Sequence, residues 1–90
     1  MAHPLVVNIR SGKPFDAQID RATEWGNHFK IVPQYRTRDE AVDDHRLWAF
    51  APEQAAWRNK VRAELRGKIL GCWCAPRRCH GDTLAEIANG

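Results

Sequence analysis

Apolar positions recur along the chain with two different periods, and the period identifies the element. Leu5-Val6-Val7-Asn8-Ile9 is a short run rich in β-branched residues, closed by Arg10-Ser11-Gly12, and it predicts a buried strand. Residues 11–27 hold Gly12, Pro14, Gly26 and Asn27 without a sustained period. They predict a long, partly ordered loop with at most one helical turn. His28-Phe29-Lys30-Ile31-Val32 predicts a second strand, stopped by Pro33. From Thr37 the pattern turns helical: Thr37-Arg38-Asp39-Glu40 matches a capping box, and Val42, His45 and Trp48 or Ala49 share one face through about Phe50. Pro52 suits the first position of a second helix, in which Trp57, Val61 and Leu65 recur every fourth residue until Gly67. Lys68 to Cys74 reads as the central strand. A third helix starts near His80-Gly81-Asp82 and turns Leu84, Ile87 and Ala88 inward. Strands alternating with helices predict an α/β chain: a small single-domain, Rossmann-like sandwich over residues 1–90, with a short, mainly parallel sheet and about three helices.

Composition narrows the class. At 90 residues, 43% apolar and 28% charged, the chain is neither a disordered tail nor a collagen-like fibre nor a disulfide mini-protein. No apolar run approaches the roughly 20 residues that span a bilayer, so no membrane partner is expected. Met1-Ala2-His3-Pro4-Leu5 lacks the basic head and apolar stretch of a secretory signal. The expected location is cytoplasmic, or the bacterial host cytoplasm for a phage-encoded chain. The net charge is +3, and ten of the 14 cations are Arg, whose planar fork suits phosphate and carboxylate. That balance permits a small anion or nucleic acid and demands neither. Three cysteines within eight residues do not form a secreted disulfide framework; they point to thiols, metal ligands or reactive groups.

The candidate chemistry is concentrated in Gly71-Cys72-Trp73-Cys74-Ala75-Pro76-Arg77-Arg78-Cys79-His80-Gly81-Asp82. This segment leaves the carboxyl end of a predicted strand and enters a helix, the edge at which open α/β sheets bind ligands. Arg77 and Arg78 precede the helix with positive charge. Cys79 at the helix start is the expected reactive thiol, because the dipole and nearby Arg lower a thiol pKa there, while the strand should bury Cys72 and Cys74. His80 and Asp82 are the expected acid–base or positioning groups. Cys72, Cys74, Cys79 and His80 also make four soft ligands, enough for a tetrahedral zinc by type. Adjacent Cys79 and His80 fit one ion poorly, so a chain without stoichiometric zinc is expected. The spacing from Cys72 to Arg78 is that of a cysteine-phosphatase loop, but Trp73 and Pro76 are bulky where small residues are wanted. The bland reading of the same segment is a strand–loop–helix with small buried cysteines.

Elsewhere, Arg10 and Ser11 follow the first strand and should reach the same edge if the strands are parallel. Arg10, Ser11, Arg21, Trp25, Asn27, Arg77 and Arg78 are therefore the candidate ligand contacts. Solvated surface charge and ordinary aromatic packing are the competing readings. His45 reads as a packed histidine and His3 as idle.

The stretches Val6-Val7-Asn8-Ile9-Arg10, Trp25-Gly26-Asn27, Gly67-Lys68-Ile69-Leu70-Gly71-Cys72-Trp73-Cys74 and Cys79-His80-Gly81-Asp82 resemble domain-of-unknown-function family 4326, found in bacteria and their phages. The resemblance covers nearly the whole chain. It departs at His28, where the family typically has Pro after Trp-Gly-Asn. It implies no particular activity, because none is established for the family. Three functions remain expected in turn: binding, with or without turnover, of a nucleotide or other small phosphate-bearing ligand; a zinc-stabilised structural or nucleic-acid-binding module; and a phage accessory protein that binds a host protein.

Overall fold

The computed structural model describes residues 3–20, 22–29, 36–75 and 77–90. Three short strands, β1 (Val6–Asn8), β2 (Ala17–Gln18) and β3 (Leu70–Cys72), form one sheet in the order β1-β3-β2. Both outer strands run parallel to β3, with Val6 opposite Leu70 on one side and Ala17 opposite Leu70 on the other. The helices are α1 (Arg38–Phe50), α2 (Ala55–Leu65) and α3 (His80–Asn89), with a 3-10 turn at Pro52–Gln54 leading into α2. The expected small α/β fold with a parallel sheet and three helices is the one observed.

The helices α1 and α3 begin where their sequence signals, whereas Pro52 opens the 3-10 turn and α2 itself starts at Ala55. Thr37 caps α1 through a full capping box, its hydroxyl accepting from Glu40 N and the Glu40 carboxylate accepting from Thr37 N. Gly67 follows α2 in the left-handed conformation, at φ 73°. Cys79 caps α3 in the same reciprocal manner, with Asp82 as its partner.

The interval between the first strand and the first helix departs from expectation. Part of the predicted loop is β2, hydrogen bonded along the free edge of β3 through Asp16 N and Ala17 N to Ile69 O and Ile19 N to Gly71 O. The chain crosses from β1 to β2 in residues 9–16, helped by a left-handed Gly12 at φ 78°. That crossover lays Phe15 over β3: a Cβ on Gly71 would stand 2.7 Å from the Phe15 ring. The strand predicted over 28–32 is not seen at His28 and Phe29, and its remaining residues lie outside those described.

The core forms between the sheet and α3. Val6, Ile19, Leu70 and Cys72 meet Leu84, Ile87 and Ala88, and Val61 and Leu65 of α2 close the far side. At about 25 cal/mol per Å² of apolar surface, these side chains supply most of the favourable folding free energy. Gly81 lets α3 come close, since a Cβ there would be 2.6 Å from Ile19 Cδ1. The result fixes the start of α3 against Val6 of β1 and against Ile19 at the carboxyl end of β2.

Candidate functional site

Because all three strands are parallel, their carboxyl ends share one edge. The starts of α1 and α3 face that edge, and between them lies a cleft of about 370 Å³. Asp20 after β2, Trp73 and Cys74 after β3, Cys79 and His80 of α3, and Arg38, Ala41 and Val42 of α1 line it, with Asn27 and Phe29. The Cys-rich loop is tied to the sheet by Asn8, whose side-chain amide donates to Trp73 O at 3.2 Å and to Ala75 O at 2.8 Å. Sequence reasoning passed over Asn8; its only signal was a polar residue ending an apolar strand.

Three thiols meet at the floor of the cleft. Cys79 Sγ lies 3.2 Å from Cys72 Sγ, and both residues are 1% exposed. Cys74 is half-buried, lines the cleft, and accepts a hydrogen bond from the Arg38 guanidinium at 3.0 Å. The His80 ring fixes the other side of Cys79. Its Nε2 stands 2.6 Å from Ile19 O, and since a carbonyl only accepts, that nitrogen carries the proton. When the ring is neutral, Nδ1 is then an acceptor, 3.5 Å from Cys79 Sγ.

Cys79, the expected activated thiol, is buried in the core. Its neighbours Cys72 and Cys74, and burial, all oppose a charge on it, and these push its pKa far up. They outweigh the helix N-terminus, which supplies only Gly81 N at 3.4 Å. Cys74 takes the opposite direction. Hydrogen bonds from Cys72 and Cys79, then the Arg38 cation, hold it well below an ordinary thiol. The expected burial of Cys74 with Cys72 is corrected at the same time, because β3 ends at Cys72 and the chain bends beyond it.

The other candidates fall into distinct places. Arg78 lines the cleft but is paired to Asp39 at 3.0 Å and Asp43 at 2.6 Å on α1. Arg10 is exposed after β1, its guanidinium 5.5 Å from the Trp73 ring centre. Arg77 is exposed, and neither it nor Arg10 is among the described residues that line the cleft. Ser11 closes the turn after β1, donating to Asn8 O. Asn27 is buried and lines the cleft, with its amide on Ala41 O. Trp25 packs in the core 6.5 Å from Trp57. Asp82 accepts from Cys79 N and His3 N, which makes it a cap and a tether rather than a group facing the cleft. Its tether also gives His3 a place. Arg21 lies outside the described residues.

Arg38 is the residue the sequence did not reveal. The capping box placed it at the first position of α1, but nothing local says which sheet edge that helix end faces. Thiolates on one zinc at about 2.3 Å stand roughly 3.8 Å apart, and no group of three metal-capable side chains among those described is arranged to hold an ion.

Against known proteins, the family profile described as Domain of unknown function (DUF4326) matches residues 7–90. The chain belongs to that family. An uncharacterized 12.4 kDa protein from the nrdA-td intergenic region of Enterobacteria phage T4 is 36% identical over 76 residues, covering 83% of this chain and 68% of the relative. No solved structure matches. No helix among the described residues is long and apolar enough to cross a membrane.

Proposed function

We propose that this member of the DUF4326 family binds a small nucleotide-like ligand in the cleft at the carboxyl edge of its sheet. The observation that carries the reading is the lining itself: aromatic faces from Trp73 and Phe29 beside the guanidinium groups of Arg38 and Arg78. Such a pairing of stacking surface and planar cations suits a base and a phosphate together. Trp73 is 49% exposed yet held in place, with its indole N–H on Asp20 at 2.8 Å and Arg10 over its ring. Arg38 and Arg78 replace Arg10 and Arg77 as the phosphate contacts. Both already have partners, so a phosphate takes over from Cys74 and from Asp39 and Asp43, and affinity is modest for that reason. Cys79 and His80 sit at the end of the cleft nearest α3, where they contact the ligand if it is turned over.

A thermal-shift screen with mono- and dinucleotides and inorganic phosphate tests this. Ligand at 100 times its Kd adds about 2.7 kcal/mol of stability, and each kcal/mol raises Tm by about 4–8 °C in a domain of this size. Nucleotides should raise Tm more than phosphate does, and Arg38→Ala and Trp73→Ala should each reduce the rise. No rise with any nucleotide overturns the proposal and brings the host-protein reading forward.

A further inference from the structure

Three sulfurs, one acceptor nitrogen and one guanidinium at the floor of an open cleft are more than ligand binding requires. We infer that the cluster reduces a hydroperoxide, with Cys74 as the attacking thiolate and Cys79 as the thiol that resolves it. The inference stands on the sulfur cluster and does not depend on what else the cleft binds.

Geometry separates the roles. Cys74 is the thiol that is both half-buried and cleft-lining beside a cation, with Arg38 donating to its sulfur at 3.0 Å. A guanidinium there stabilises the thiolate and also the oxyanion that leaves as the peroxide bond breaks. Cys79 is 1% exposed, kept from direct attack by peroxide, yet its sulfur lies 3.2 Å from Cys72 Sγ and it lines the same cleft as Cys74. A buried resolving thiol needs a base, and His80 Nδ1 lies 3.5 Å from its sulfur with Nε2 anchored on Ile19 O.

In the first step the Cys74 thiolate attacks the distal peroxide oxygen. A sulfur–oxygen bond forms, the oxygen–oxygen bond breaks, and the alkoxide or hydroxide leaves, taking one proton from solvent to become the alcohol or water. Cys74 becomes a sulfenic acid. In the second step Cys79, its proton passed to His80, attacks the Cys74 sulfur. A disulfide forms, and hydroxide leaves with that proton as water. Two thiols have lost two electrons and the peroxide has gained them. Return to the starting state consumes an external dithiol, supplied in the assay as dithiothreitol.

The experiment uses the full chain, reduced, desalted and checked for metal. On addition of hydrogen peroxide, titratable thiols should fall from three to one and the mass by about 2 Da. The rate should exceed that of free cysteine by at least about tenfold. Dimedone added with the peroxide should trap a sulfenic acid on Cys74 of the unmutated chain, which requires no variant to fold. Cys79→Ser should stop at that sulfenic acid, and Cys74→Ser should oxidise no faster than free cysteine. Survival of all three thiols, trapping only on Cys72 or Cys79, or an unchanged rate in Cys74→Ser each overturns the inference. So does about one tightly held zinc per chain that keeps the thiols from reacting.

Discussion

His45 stands in the core, 1% exposed, edge-on to Trp57 and His80 and beside Trp48, and its Nδ1 finds no hydrogen-bond partner among the described residues. Burial, reinforced by His80 and His28, lowers its pKa to about 3. The unfolded chain holds this group near 6.5, so between those values the unfolded state takes up a proton that the folded state refuses. Stability from the neutral ring is complete above pH 6.5 and is lost as pH falls toward 3, at up to about 1.4 kcal/mol per pH unit. Urea unfolding of the unmutated protein and His45→Gln at pH 7.5 and pH 5 isolates this residue from His80 and His28. The unmutated protein should lose more stability on acidification than the variant; equal losses would contradict the assignment. That His45 packs in the core was legible from its place on the apolar face of α1. The relative acidity of the thiols was not. The sequence shows which cysteine starts a helix, but the outcome depends on how many other sulfurs crowd it and on where a guanidinium 36 positions away comes to rest.

At the scale of elements, the helices and two of the strands were legible because each carries its own punctuation. Thr37 with Glu40, Pro52 and Gly67 bound α1 and α2, and a dense apolar face marks α3. β2 was hidden. It is two residues long, lies between Asp16 and Asp20, and exists because β3 offers it an edge, so no local periodicity announces it. Two glycines report how tightly these elements meet. A methyl group on Gly81 would press on Ile19, which is fully buried, and on Val6. A methyl group on Gly71 would press on Phe15, which is only partly buried and can swing outward. Gly81→Ala should therefore destabilise by about 1–3 kcal/mol, despite the roughly 1 kcal/mol by which a helix prefers Ala to Gly. Gly71→Ala should cost less. Urea midpoints of the two variants make the comparison, and the reverse order would mean that α3 does not rest on β1 and β2 as described.

Over the whole molecule, parallel strands send every loop of consequence to one edge, and the starts of α1 and α3 complete the cleft there. That the Cys-rich loop occupies this edge followed from the order strand, loop, helix in the sequence. Which cations join it did not, because Arg10 and Arg38 were placed by the crossover and by helix packing, both of them long-range outcomes. The family match and the phage relative extend along the same chain, with the family covering residues 7–90, so the cleft lies wholly within the matched region. The most direct measurement is a backbone amide NMR titration of the chain with the nucleotide that gives the largest thermal shift. Saturable shifts should concentrate at Asp20, Asn27, Phe29, Arg38, Trp73 and Cys74, around the cleft. Shifts confined to the exposed outer face of α1 at Leu47 and Phe50, or none at any concentration, would contradict a ligand site at the sheet edge.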